Sequence, residues 1–409
     1  MVGIPDGLGA FDNGDGTFTV LMNQELASGE GIVRAHGAIG SFVSKWIIRK
    51  DDLTVLHGED LIHEVATWNP LGYWNPPATG VVLARLCSAD LAKRSAFYDD
   101  DSGLGYDGYL FLDGEEVSGG RAFAHALDGT SYEIPWLGKF AFENAVAHPD
   151  LGPTTVVIAT DDTTPGQVYI YAGQKTNSSN AAEAAGLANG VLYGIKVTGL
   201  PVESNSTVLA GPTPFTVHNF GDASLLSAAT LESLGTANEV TAFLRPEDGA
   251  WDPTNPNDFY FVTTASFTTN SRLWRLKFVD AANPALGGTI EMVLDGTEGQ
   301  RMMDNLTING SGQVFIQEDP GPQPHLAKIW RYYPDQDKLS LIAQHDPDRF
   351  TPGVPGFLTQ DEESSGIIDV SEILGEGKFL IDVQAHYAIT GELVQGGQLL
   401  LLQVPSGRK

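Results

Sequence analysis

The chain has 409 residues, long enough for two or three ordinary domains or one large all-β domain, and its 42% hydrophobic content allows a sizeable core. Asp and Glu total 52 against 23 Lys and Arg, a net charge of -29, which excludes nucleic acid and anionic membranes as partners because both need a basic surface. A single cysteine, Cys87, excludes an internal disulfide framework and a Cys-rich zinc site, and no apolar run is long enough to span a membrane.

Forty-seven glycines and 23 prolines cut the chain into short pieces. Apolar runs bounded by turn residues predict strands at Phe18 to Met22, Phe42 to Arg49, Gly80 to Leu86, Tyr109 to Leu112, Thr155 to Ala159, Gln167 to Tyr171 and Val191 to Val197. Seven more follow: Phe259 to Thr263, Leu273 to Phe278, Gln313 to Ile316, Lys328 to Tyr332, Leu339 to Ala343, Lys378 to Asp382 and Gln398 to Leu402. Only Ala181 to Ala188 reads as a helical turn or two. Many short strands without alternating helices predict an antiparallel all-β fold.

Several units repeat one design, in which a Gly or Asn turn leads into an apolar strand with an acid or amide at its end. Phe18 to Met22 runs to Asn23-Gln24-Glu25, Tyr109 to Leu112 to Glu115-Glu116, and Val156 to Ala159 to Asp161-Asp162. Val314 to Gln317 runs to Glu318-Asp319, and Lys378 to Ile381 to Asp382 and Gln384. The units span roughly 45 to 90 residues, near or above the blade length of a β-propeller. The expectation is one β-propeller domain over residues 1–409, six-bladed, with strand-end carboxylates converging on a central channel.

Familiar catalytic motifs are missing. Asp12-Asn13-Gly14-Asp15-Gly16 lacks the sixth-position Gly and twelfth-position Glu of a calcium loop and reads as a hairpin turn. His63-Glu64 has no second histidine at zincin spacing, and there is no phosphate loop, dinucleotide fingerprint or nucleophile elbow. The carboxylates carry the signal instead. Glu25, Glu115, Glu116, Glu143, Asp161, Asp162, Glu247, Asp304, Glu318, Asp319, Glu362 and Glu363 nearly all fall at strand ends or in turns. Hard oxygen donors in such number suit Ca²⁺, whereas the bland alternative is solvated acid on a protein from a saline setting. Arg245, two residues before Glu247, offers a planar fork for a phosphate or carboxylate.

Together these fragments resemble the PhoX family of secreted bacterial alkaline phosphatases, β-propellers with a calcium and iron cluster. Asn23-Gln24-Glu25 is similar to the family's Asn-His-Glu, Glu115-Glu116 to its paired glutamates, and Phe142-Glu143-Asn144 falls at its His-Glu pair. Thr160-Asp161-Asp162 resembles Gly-Asp-Asp, and Arg245-Pro246-Glu247 with Trp251-Asp252-Pro253 matches best. Met303-Asp304-Asn305-Leu306, Asp319, Glu363-x-x-Gly366 and Val383-Gln384-Ala385-His386 complete the series. The resemblance implies a metal-dependent hydrolase of phosphate esters, phosphatase or phosphodiesterase, with a small phosphorylated substrate. Arg245 would hold the phosphate. More than one Ca²⁺ would be bound by Glu25, Glu115, Glu116, Glu143, Asp161, Asp162, Glu247, Asp304, Asp319 and Glu363. Gly114 stands where the family carries an iron-ligating cysteine, so little or no iron is expected unless Cys87 reaches the channel. The resemblance also implies a secreted or periplasmic protein whose export signal has been removed. The competing expectation is a non-catalytic, calcium-stabilised extracellular propeller with a structural or adhesive role, and a lactonase-like propeller is a third.

Overall fold

A computed structural model describes residues 1–405. Its strands form up-and-down antiparallel meanders, each starting from an inner strand. In chain order the inner strands are Pro5–Asp12, Leu86–Leu91, Phe142–Ala147, Pro246–Trp251, Met303–Ile308 and Glu362–Asp369. Each lies against the next, and Glu362–Asp369 lies against Pro5–Asp12, so the inner strands close a ring around a central channel. The protein is an all-β propeller.

The first meander continues through Thr17–Gln24, Phe42–Arg49 and Val55–Asp60. The second adds Leu110–Glu115, Ala122–Ala126 and Thr130–Glu133, with Glu64–Ala66 laid parallel on its outer edge. A nine-stranded sheet joins the next two, where Thr213–Phe215 of an outer strand pairs with Gly288–Ile290 of another. Met303–Ile308 begins a four-stranded sheet and Glu362–Asp369 a three-stranded one.

The core is divided among the seams between neighbouring meanders. Leu21 and Val43 meet Leu86 and Phe111 at one seam, Leu112 and Ala124 meet Phe142 and Val157 at the next. Val156 and Ile170 pack on Phe259 and Trp274, Tyr260 and Val262 on Leu306 and Ile316, and Phe315 on Phe379. Leu8, Phe18 and Val20 pack with Leu380, which fastens the first meander to the last. Each buried Leu, Val or Phe contributes roughly 1.5–3 kcal/mol, so the ring is held by apolar seams and its axis is left free for polar groups.

Most outer strands fall where the apolar runs predict them; Phe42–Arg49 and Val191–Val197 coincide with the prediction. The helical turn at Ala181–Ala184 is present, capped by Asn180. Asp12 to Gly16 is a hairpin turn as expected, with Gly14 and Gly16 at φ 76° and 89° and the Gly14 amide donating to Asp12. The predicted strand at Gly80 to Leu86 is displaced: the strand is Leu86–Leu91. The helix Ala228–Ala237, capped by Ser227, was not expected from its weakly patterned, Ala- and Thr-rich sequence. Apart from the displaced Leu86–Leu91, none of the inner strands was predicted.

Candidate metal centre

Each inner strand opens with the same irregularity. Pro5 pairs with Gln24 and Leu8 with Met22, so Asp6 and Gly7 together oppose Asn23 alone. The same two-against-one bulge recurs for Cys87 and Ser88, Glu143 and Asn144, Glu247 and Asp248, Asp304 and Asn305, and Ser365 and Gly366. A bulge bends a strand and re-aims a side chain. Here it turns the first bulged residue of several meanders, namely Asp6, Cys87, Glu143, Glu247 and Asp304, toward a common centre. Gly7 and Gly366 admit close approach: a Cβ on Gly7 would lie 2.4 Å from the Ala89 amide nitrogen, and one on Gly366 2.8 Å from the Asp6 carbonyl.

The second strand of each meander supplies the other donors. Gln24, Glu115, Asp161 and Glu318 pair with the residue before the bulge, while Glu25, Glu116, Asp162 and Asp319 come one residue later. Successive side chains on a strand point to opposite faces, so only the later member of each acidic pair faces the centre. Three groups result, each with ligand-capable atoms within 4.8 Å of one another: Asp6, Glu25 and Cys87; Glu143, Glu247 and Asp304; and Asp304, Asp319 and Glu363.

A layer of neutral donors braces these acids. Ser88 Oγ donates to Glu143 at 2.6 Å, Asn305 Nδ2 to Ser88 at 2.6 Å, and Ser365 Oγ to Glu363 at 2.8 Å. Gln384 Nε2 donates to Glu25 at 3.2 Å, and Asn144 Nδ2 to Asp248 at 2.6 Å. Among the described residues, no lysine or arginine forms an ion pair with Asp6, Glu143, Asp304 or Asp319. Burial is therefore the chief force pushing the acids above the usual carboxylate range, with mutual repulsion added: Asp6 rises to about 6, and Glu143, Asp304 and Glu363 rise well above normal.

Two arginines stand at the rim. Arg245 directs Nε and Nη2 at Asp162, at 2.7 and 3.0 Å, and Nη2 lies 2.8 Å from Glu247. Glu247 is the main reason its guanidinium is held above its ordinary range. Arg85 pairs with Glu25 at 2.6 Å and with Glu116. Burial would lower its pKa, but Glu25 and Glu116 overcome that and raise it. Burial also opposes ionisation of Asp162, yet the Arg245 fork outweighs it and lowers that carboxyl.

Of the residues singled out from the sequence, Glu25, Glu143, Glu247, Asp304, Asp319 and Glu363 lie in the three groups. Glu116 and Asp162 join the rim through the arginines. Glu115 is turned away and held by Arg121, at 2.6 and 2.7 Å. Asp161 faces the Glu232 side and is raised to about 7 by burial. Asp6 and Arg85 were overlooked: Asp6 sits in a Pro-Asp-Gly triplet that reads as a turn, and Arg85 has no sequence partner nearby.

The expectation about the thiol needs correcting. Gly114 does not face the centre, since a Cβ there would lie 2.4 Å from Phe142. Cys87 does: it is buried, with Sγ 3.2 Å from Glu143 and 3.4 Å from Asp6, and stands in the Asp6–Glu25 group. The bulge at the start of Leu86–Leu91 is what brings it there.

Two other features carry no comparable chemistry. Ser131, His125 and Asp113 form a hydrogen-bonded line at 2.6 and 2.8 Å, but all are 0–1% exposed and braced within one sheet. A cavity of about 330 Å³ beside Arg34, Phe42 and Trp46 contains none of the clustered acids. The cavity over the centre, about 360 Å³, is lined by Glu25, Arg85, Asp319, Glu363, Gln384 and His386.

These residues fit hard cations. The carboxylate oxygens are buried, close together and short of positive partners, and the Asp6 group adds a sulfur donor that suits a softer transition ion.

The fold and an acid-lined axis define a propeller with a candidate metal centre, and known proteins narrow that class. The chain is similar in structure to PhoX of Pseudomonas fluorescens, determined in complex with vanadate, a transition state analogue: TM-score 0.67 and 12% identity, over 94% of this chain and 84% of that one. It also aligns with the Pseudomonas aeruginosa periplasmic gluconolactonase PpgL, at TM-score 0.42 and 9% identity over 98% and 88% of the chains. No curated protein sequence matches it. A sequence profile of the family described as alkaline phosphatase PhoX matches residues 124–347, more than half the chain. The chain belongs to the PhoX alkaline phosphatase family, a family of metal-dependent, phosphatase-type hydrolases that are typically exported. Among the described residues, no helix is long and apolar enough to cross a membrane.

Proposed function

We propose that this protein is a calcium-dependent hydrolase of small phosphate esters, monoesters or diesters, built as one six-bladed propeller and working outside the cytoplasm. The observation that carries the reading is the convergence of bulge and strand-end residues from successive meanders into three groups, each with its ligand atoms within 4.8 Å of one another and two of them sharing Asp304. Such sharing suits adjacent cations more than separate structural ions. The six-bladed reading divides the nine-stranded sheet at its short Thr213–Phe215 junction.

Glu143, Glu247, Asp304, Asp319 and Glu363 would hold Ca²⁺, and Asp6, Glu25 and Cys87 would hold a further ion, a transition metal being admissible through the thiolate. When bound, such ions polarise phosphoryl oxygens and offset charge developing in the transition state. The chain's own residues do the positioning. Arg245, fixed by Asp162 and Glu247, presents a rigid guanidinium beside the acids. Ser88, Asn305 and Gln384 hold the carboxylates in place, and preorganised groups need not rearrange as charge develops.

Assays of p-nitrophenyl phosphate and bis-p-nitrophenyl phosphate, with Ca²⁺ and after chelation, test the proposal. Ca²⁺-dependent release of nitrophenol is expected from at least one of them. A calcium-loaded protein inert toward both would favour the structural propeller.

A further inference from the structure

We propose that Arg85 is a second phosphate-holding residue of this active site, the counterpart of Arg245 at the rim and a lining residue of the cavity over the acids; the proposal rests on the phosphate-ester reading above. The two arginines occupy matching places. Arg85 immediately precedes Leu86, the last paired residue before one bulge, and Arg245 precedes Pro246, the last before another. Both have left-handed backbones, at φ 46° and 57°, a conformation costly for a residue with a Cβ. The same costly turn thus aims a guanidinium at the rim twice.

The charges join into one alternating arc. Arg85 bridges Glu25 and Glu116, Arg245 bridges Asp162 and Glu247, and Glu116 acts electrostatically on Asp162 between them. Arg85 is the more available of the pair, its side chain 43% exposed against 28% for Arg245. It also lines the cavity over the acids, as His386 does, whereas Arg245 does not line that cavity.

Glu25 gives the arrangement its logic. It is both a partner of Arg85 and a member of the Asp6–Cys87 group. A cation drawing on Glu25 weakens that acid's hold on Arg85 as the cavity floor loses its negative charge, while Glu116 keeps the guanidinium in place. A guanidinium then matches two phosphoryl oxygens at once. The cavity of about 360 Å³ is near the small end of ligand pockets, which favours esters of small alcohols.

The test is calorimetric titration of the calcium-loaded parent, Arg85→Ala and Arg85→Lys with inorganic phosphate, alongside steady-state kinetics on p-nitrophenyl phosphate. Arg85→Ala should weaken phosphate binding by about tenfold and raise KM more than it lowers kcat, and Arg85→Lys should recover part of the loss because charge returns without the fork. Metal content measured by mass spectrometry should stay at the parent level in Arg85→Lys. If Arg85→Ala does not fold, the lysine variant decides alone, and a parent-like phosphate affinity in it overturns the role of the fork. Phosphate binding unchanged in a folded Arg85→Ala overturns the role of Arg85 and leaves the phosphatase reading standing. A parent that binds no phosphate and turns over no ester overturns both.

Discussion

The channel has two unlike sides. Along the arc from Glu25 to Glu247, acids alternate with Arg85 and Arg245, and every carboxylate has a guanidinium partner. Across it, among the described residues, Asp6, Glu143, Asp304 and Asp319 form no ion pair with an arginine or lysine, and Glu363 has His386 at 3.8 Å. The same bulge builds both sides, so the difference lies in which residue precedes it. Arginine before the bulge gives a side that is complete in the protein alone; Ile4 and Met302 at the matching places, also left-handed at φ 58° and 42°, give a side that needs cations from outside. Glu25 and Glu247 belong to both sides and couple them.

The largest expected effect is on the uncompensated side. Chelation should lower Tm by several degrees, because a ligand that binds only the folded state adds about 2.7 kcal/mol at a hundredfold excess over its dissociation constant. A melting curve insensitive to EDTA at constant ionic strength would erase the distinction between the sides.

Next in size is a pair of isosteric substitutions with opposite signs. Asp304→Asn removes a charge shared by two groups. Without metal, at alkaline pH where the raised carboxyl is ionised, it should stabilise the protein by up to roughly 3 kcal/mol, the repulsion of two like charges within 4.8 Å in an effective dielectric of about 20. Asp162→Asn removes the bidentate partner of Arg245 and should destabilise by about 1–3 kcal/mol. Urea denaturation in EDTA reads both, and equal signs would refute the comparison.

Acidity should set buried acids without an arginine partner apart from the arginine-paired arc. Asp161 and Asp248 are held up at about 7 and about 6 by burial. A raised carboxyl pKa gives stability that is present below the unfolded value near 4 and is lost as pH climbs through the folded value. Metal-free protein should therefore lose stability between about pH 4 and pH 7. Asp162, lowered by Arg245 against the effect of burial, works the other way, and its contribution is lost only in acid. With Ca²⁺ present, the slope should flatten or reverse because cations compete with protons for the clustered acids. Denaturation midpoints at several pH values, with and without Ca²⁺, give the two slopes.

The smallest effect is predicted for Glu115→Gln. Its carboxylate is committed to Arg121 on the far face of the strand, so metal content should match the parent, with a stability loss of about 1 kcal/mol. Loss of a metal ion in this variant would show that the pleat does not divide the acidic pairs as described.

That division explains what could be read from the sequence. Apolar outer strands such as Phe42–Arg49 and Val191–Val197 were legible because their alternation is set by the seams they fill. The inner strands were illegible because they carry the site. Segments such as Pro5-Asp6-Gly7 and Glu247-Asp248-Gly249 contain residues depleted from strands, and a bulge breaks the period of two. Acids at strand ends were recognisable, but both members of Glu115-Glu116 and Asp161-Asp162 looked equivalent; only the pairing register shows which one turns inward. The displaced start of Leu86–Leu91 hid Cys87 and Arg85 for the same reason. The match to the PhoX family bears out the resemblance read from Arg245-Pro246-Glu247 and its companion fragments.

The central claim is that the bulged inner strands assemble a centre for several cations. Metal analysis of protein purified without added metal, followed by Ca²⁺ titration of the chelated protein, tests it most directly. More than one metal ion per chain is expected, falling in Asp304→Asn and unchanged in Glu115→Gln, with any visible colour lost in Cys87→Ser. A chain that carries no metal and takes up no Ca²⁺ would contradict it.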